Sequence, residues 1–199
     1  MGEGGGWHVQ DGDPVEIVDY DPRWPDSFAS EAARVLLALS GHVIGVEHIG
    51  STAVEGLVAK PVIDMQVGAR SLDSTDEIVA ALTAIGYAYV PELEQVFPAR
   101  RYFFKMEGSR RTHQVHLVER SNSEWWDRHI AFREWLRAHP EDRGAYGAMK
   151  RRLATTHRHD RDGYTNAKSE FVGATVAKAR DGSRGTRTHR RGSADAPAG

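Results

Sequence analysis

Residues 43–67 constrain the fold of this chain more than any other stretch. Residues 43–47, Val-Ile-Gly-Val-Glu, read as a strand that delivers His48, Gly50 and Ser51 to its far end. Lys60-Pro61 then leads into a second short strand over residues 62–67, Val-Ile-Asp-Met-Gln-Val. A proline is tolerated as the first residue of such a strand. Side chains alternate along a strand, so Val62, Asp64 and Gln66 share one face and Ile63, Met65 and Val67 the other. The apolar face calls for helices to cover it. The opposite face presents an acid and an amide beside a Gly-Ser turn. A turn whose backbone can approach phosphate, followed by a strand carboxylate that can hold a metal, is one way to bind a nucleoside triphosphate. The plain alternative is a sheet face whose polar residues meet water.

The remaining pattern gives the architecture. Residues 15–18 alternate and read as a short strand or an extended entry. Two prolines keep Asp21-Pro22-Arg23-Trp24-Pro25 out of a helix interior. Asp26 or Ser27 is then the expected cap of a helix carrying Phe28, Ala32, Val35, Leu36 and Leu39 on one face. Ser74 with Glu77 makes a capping box for a helix that reaches Ile85 and stops at Gly86. Residues 101–106 and 112–118 form a hairpin about Glu107-Gly108-Ser109. In its second strand Thr112, Gln114, His116 and Val118 face one way, and His113, Val115 and Leu117 the other. From Ser123 the spacing turns helical: Trp125, His129, Phe132 and Leu136 up to Pro140; then Tyr146, Met149 and Leu153; then Tyr164, Lys168, Phe171, Val172 and Val176. The expectation is an α/β (α+β) part over residues 14–120 and a helical part over 121–180. Residues 1–13 and an Arg-rich tail, 181–199, are expected to be disordered.

The run Glu47-His48-Ile49-Gly50-Ser51-Thr52-Ala53-Val54, then Gly56-Leu57 and Lys60-Pro61-x-Ile63-Asp64, resembles the GrpB-like family of the DNA polymerase beta-like nucleotidyltransferases. Tyr20-Asp21-Pro22-Arg23-Trp24-Pro25, Arg111-Thr112-His113-x-x-His116-Leu117-Val118, Phe132-Arg133 and Tyr164-Thr165-x-Ala167-Lys168 agree with it, so the resemblance spans roughly residues 14–179. It implies a minimal nucleotidyltransferase-like mixed sheet followed by helices that close a cleft. The superfamily pattern has a second acid where this chain has Gln66, and His116 stands where the third acid would be. The family's Val-Pro-Gly reads Val54-Glu55-Gly56 here.

Nucleotidyl transfer needs a divalent ion that neutralises phosphate charge and activates the attacking oxygen. Asp64 is the best metal ligand on offer, and Gln66 can add only a neutral carbonyl oxygen. His116 either ligates the ion, biasing the site from Mg²⁺ towards Mn²⁺ or Zn²⁺, or acts as a general base, or fills the sheet face. Gly50, Ser51 and Thr52 are the expected phosphate cradle; Lys60, Arg101, Arg133 and Lys168 are candidate phosphate partners. Glu47 and His48 are expected to support the metal site by hydrogen bonds. The cofactor implied is Mg²⁺ or Mn²⁺, with an NTP as substrate and an unknown acceptor. A decayed, nucleotide-binding accessory module is the rival, since the resemblance includes a domain fused to dephospho-CoA kinase.

Composition narrows the rest. A net charge of −2 gives no global field for nucleic acid, although five Arg against two Asp from residue 180 onward leave the tail basic. No run approaches the length of a membrane-spanning helix, and no cysteine is present to form a disulfide or a thiolate metal site. Residues 1–13 are Gly-rich without an apolar stretch, so a cytoplasmic protein is expected.

Overall fold

The computed structural model describes residues 14–190. Five strands form one mixed sheet: Val43–Ile49 (β1), Ile63–Ala69 (β2), Tyr87–Tyr89 (β3), Arg100–Glu107 (β4) and Arg110–Glu119 (β5), in the order β1-β2-β5-β4-β3. Only β2 and β5 run parallel, with Asp64 opposite Gln114 and Gln66 opposite His116. The hairpin joining β4 to β5 turns at Gly108, whose φ of +60° suits a residue without Cβ.

One sheet face carries the core. Ile63, Met65, Val67, Phe103, Val115 and Leu117 point into it and meet helices Trp24–Ala38 (α1) and Thr75–Ala84 (α2). Burying each such side chain stabilises the fold by roughly 1.5–3 kcal/mol. Glu31 of α1 is a charged exception at 6% exposure. It accepts from Lys105 Nζ (2.7 Å), Tyr87 Oη (3.1 Å) and Arg34 Nη1 (3.0 Å), so its carboxylate is fully engaged.

The C-terminal helices are Ser123–Ala138 (α3), Pro140–Thr156 (α4), Arg161–Asn166 (α5) and Ser169–Arg190 (α6); α3 lies against the second face, and α4 and α6 pack on α3. Gly68 lets α3 approach: a Cβ there would stand 2.9 Å from the Trp126 ring. A second apolar cluster, Val54, Leu57, Leu136 and Tyr146, ties α3 and α4 to the loop after β1.

Several boundaries differ from expectation. Helix α1 begins at Trp24, with Pro25 in its first turn, where the missing N–H costs no hydrogen bond. Of the two forms expected for residues 15–18, the structure has the extended entry, with a single bridge from Val18 to Ala59. Ser74 makes no side-chain cap; Thr75 Oγ1 donates to the Leu72 carbonyl instead. The three-residue strand β3 was not anticipated. The last helix is two: Asp160 caps α5 by accepting from the Gly163 N–H (2.8 Å), and the chain breaks at Ala167-Lys168 before α6 begins. Helix α6 then continues to Arg190 rather than ending near Arg180. Of the two ends expected to be disordered, residues 1–13 and 181–199, residues 181–190 belong to α6, and residues 1–13 and 191–199 lie outside the described residues. Among the described residues no helix is long and apolar enough to cross a membrane.

Candidate functional site

Where the sheet meets the helices lies a cavity of about 250 Å³. Its sheet side is made by Gly50, Ser51, Thr52, Lys60, Asp64, Gln114 and His116, and its helix side by His129, Lys150, Tyr164, Thr165 and Lys168. The two strands that open the sequence argument therefore form one wall.

Gly50 sets the geometry of that wall. Its φ of +71° with ψ of −169° belongs to a region reserved for glycine. A Cβ at Gly50 would overlap Asp64 Oδ2 and lie 3.1 Å from Asp64 Cγ. Residues 51–53 then form one 3₁₀ turn. Thr52 is fully buried: its hydroxyl donates to the Val62 carbonyl (3.4 Å) and pairs with His48 Nε2 (2.9 Å). Burial pushes the His48 imidazole down to about 4, and its ring stacks on Phe28 with centroids 4.6 Å apart. So His48 supports the turn from behind, and Thr52 is engaged with it.

Asp64 is half-buried at the cavity floor. With its amide oriented to satisfy both ends, Gln114 donates to Asp64 Oδ1 at 2.9 Å and accepts from Arg111 Nη1 at 3.3 Å. His116 Nε2 stands 3.8 Å from Asp64 Oδ1, while Arg100 Nη1 donates to His116 Nδ1 at 3.3 Å. Burial lowers the His116 pKa.

Facing this one carboxylate are three lysines. Lys150, at 2% exposure, donates to Ser51 Oγ (2.8 Å) and to the Val58 carbonyl. Lys60 and Lys168 both lie against the Tyr164 ring, at 5.4 and 4.2 Å from its centroid. Burial, then mutual repulsion, pushes Lys60 and Lys150 down to about 7; burial brings Lys168 to about 8. Three lysines against one aspartate give a net excess of two positive charges when all are protonated. Such a cavity favours a polyanion.

Four of the expected site residues are elsewhere. Gln66 is completely buried and does not line the cavity; its Nε2 donates to the Trp126 carbonyl of α3 at 3.1 Å. The position of a second acid thus holds a helix against the sheet. Arg101 points to the α2 side, donating to Thr75 Oγ1 (3.2 Å) and the Pro98 carbonyl (2.8 Å) and pairing with Glu94 (3.1 Å). Arg133 is a strut from α3 to β1, donating to Glu47 Oε2 (2.9 Å) and the His48 carbonyl (2.6 Å). Glu47 is accordingly engaged with Arg133. Replacing Arg133 by methionine is expected to cost about 1–3 kcal/mol in urea unfolding, the worth of hydrogen bonds to a charged group, and to leave ligand affinity within twofold. A large affinity loss at unchanged stability would restore it to the site.

Sequence reasoning missed Lys150, Gln114, His129, Tyr164 and Thr165 as cavity residues. Lys150 carried a signal: Tyr146, Lys150 and Leu153 fall on one helical stripe, and a lysine inside an apolar stripe is seldom a solvated one. Among the described residues no three His, Cys, Asp or Glu side chains converge as a metal cage. Asp64 alone suits a hard divalent ion, which phosphate oxygens and water would complete.

The model of the GrpB protein family matches residues 14–178. The chain belongs to the GrpB family. A crystal structure of conserved protein GrpB from Enterococcus faecalis shares the fold with a TM-score of 0.76, at 35% identity over 82% of this chain and 96% of that one. A UPF0157 protein of Pseudomonas aeruginosa is 37% identical over 180 residues, 89% of this GrpB chain and 72% of the relative. A shorter match, 43% identical over 86 residues, joins 42% of this chain to 20% of a dephospho-CoA kinase of Mycobacterium bovis.

Proposed function

We propose that this GrpB chain is a nucleotidyltransferase-like protein that binds the phosphate chain of a nucleoside triphosphate together with one divalent ion. The observation that carries this reading is the cavity in which Lys60, Lys150 and Lys168 surround Asp64 next to the Gly50-Ser51 turn. Ser51 and its lysine partner would hold phosphate oxygens, and Asp64 would share the ion with them. The ion would neutralise phosphate charge. A cavity of about 250 Å³ is below the range of roughly 300–1,000 Å³ usual for drug-sized ligands, so it suits the phosphates and leaves the nucleoside outside.

Transfer of a nucleotidyl group to a small molecule or protein acceptor is the active form of this reading. Gln66 favours a second form, binding without transfer, because its amide is committed to Trp126 and a second ion would find no second carboxylate. The likeness to dephospho-CoA kinase bears on only part of the site. A matched stretch of 86 residues cannot contain both Ser51 and Lys150, which are 99 positions apart. A membrane or nucleic-acid partner is not part of the proposal, and a cytoplasmic location is.

The test is thermal unfolding with each NTP and Mg²⁺ or Mn²⁺, for the wild type and Asp64→Asn. At about 100 times its Kd, a ligand adds roughly 2.7 kcal/mol. The wild type is expected to gain stability with NTP and metal, and Asp64→Asn to lose the metal dependence. No gain with any NTP and either metal would sink the proposal. Release of pyrophosphate on adding a candidate acceptor would separate transfer from binding.

A further inference from the structure

We propose that Arg100 is a positioning residue that fixes His116 as a hydrogen-bond donor beside Asp64, and so restricts this site to an ion ligated through oxygen. The inference rests on the reading of Asp64 as the ion's ligand. It sets aside the imidazole ligand expected from the sequence.

The argument is one of donors and acceptors. A guanidinium carries five N–H donors, has no acceptor and does not deprotonate in proteins. Its Nη1 stands 3.3 Å from His116 Nδ1, so Nδ1 must be the accepting, unprotonated nitrogen. A neutral imidazole has one N–H, which then resides on Nε2. That nitrogen is the one directed at Asp64 Oδ1, 3.8 Å away. To ligate a metal beside Asp64, Nε2 would have to lose its proton to Nδ1. Two donors, Nδ1–H and the guanidinium, would then face each other.

Arg100 is not free to step aside. Its guanidinium lies against three rings, Phe97 at 4.5 Å, Trp125 at 5.1 Å and Tyr102 at 5.5 Å from their centroids. The His116 ring is held in turn between Tyr102 (5.4 Å) and His129 (6.4 Å), and His129 stacks on Trp125 (4.9 Å). Neither partner can reorient without disturbing this aromatic packing. The arrangement therefore opposes Zn²⁺, which favours imidazole, and tolerates Mg²⁺, which takes carboxylate, phosphate and water.

The experiment is long-range ¹H–¹⁵N correlation of the histidine rings in the full chain without nucleotide, with the His116 signals assigned by their loss in His116→Gln. The wild type is expected to show the Nε2–H tautomer at His116, unmoved by Zn²⁺ at concentrations that shift exposed histidines. In Arg100→Met the tautomers are expected to redistribute and Zn²⁺ affinity at His116 to rise on the order of tenfold, as outer partners of metal ligands commonly command. The Nδ1–H tautomer in the wild type, or equal Zn²⁺ shifts of His116 in both proteins, would overturn the proposal. The wild-type spectrum alone decides if Arg100→Met fails to fold. Since no nucleotide is present, this outcome is independent of whether the chain binds an NTP.

Discussion

Gly50→Ala is expected to abolish the NTP-dependent stabilisation and to destabilise the free protein. The backbone at φ +71°, ψ −169° costs a side-chain-bearing residue roughly 1–3 kcal/mol. The new methyl group would also displace the Asp64 carboxylate from the cavity floor. Both effects act at one point, so stability and ligand response should fall together. Urea unfolding gives the first and thermal shift with NTP and metal the second. An alanine variant that kept its full ligand response would show that the Asp64 position is not what the ligand reads.

Lys150→Met is expected to weaken NTP binding roughly ten- to a hundredfold, the worth of one charge-assisted hydrogen bond. It should also change how the protein responds to pH. Lys150 sits at about 7 in the folded chain against 10.5 ordinarily. Between those values the unfolded chain holds more protons than the folded one, so stability rises with pH across that window. Below about pH 7 the lysine is protonated in both states, and the folded state bears the whole cost of its buried charge. Lys60, at about 7, and Lys168, at about 8, act in the same direction. The methionine variant should show a shallower rise. A polyanion reverses the situation by favouring the charged lysines, so NTP binding at about pH 8 should take up protons. Calorimetry in buffers of different ionisation enthalpy reads that uptake directly. Binding with no proton uptake would mean that the ligand does not reach the lysines.

The sheet was legible because alternation and turn residues mark β1, β2, β4 and β5 strongly. Three residues, Tyr87–Tyr89, are too few to show a period, and β3 escaped. Asp64, Gly50, Ser51, Thr52, Lys60, His116 and Lys168 were found and do line the cavity. Arg101 was chosen over its neighbour although parity decides between them. Tyr102 pairs with His116 across the hairpin, so Arg100 shares that side of the pleat and Arg101, opposite Leu117, does not. Arg133 and Gln66 lie off the cavity for a different reason. Nothing in the one-dimensional pattern says that α3 lies across this sheet face and engages both. The split between α5 and α6 was equally hidden, since Tyr164 and Lys168 keep helical spacing across the break. Lys150 is masked by its neighbours Arg151 and Arg152, since a cluster of basic residues on a helix ordinarily marks a solvated face.

The parallel pairing of β2 with β5 has a kinetic consequence. Asp64 finds its partner Gln114 fifty positions along the chain, whereas the β4–β5 hairpin closes locally. Closing so long a loop costs chain entropy before any contact rewards it, which delays such pairings relative to hairpins and helices. The carboxylate is thus expected to reach its working place late in folding, after much of the secondary structure exists. During refolding, the capacity to respond to nucleotide and metal should emerge in the slowest phase, behind the recovery of helical circular dichroism.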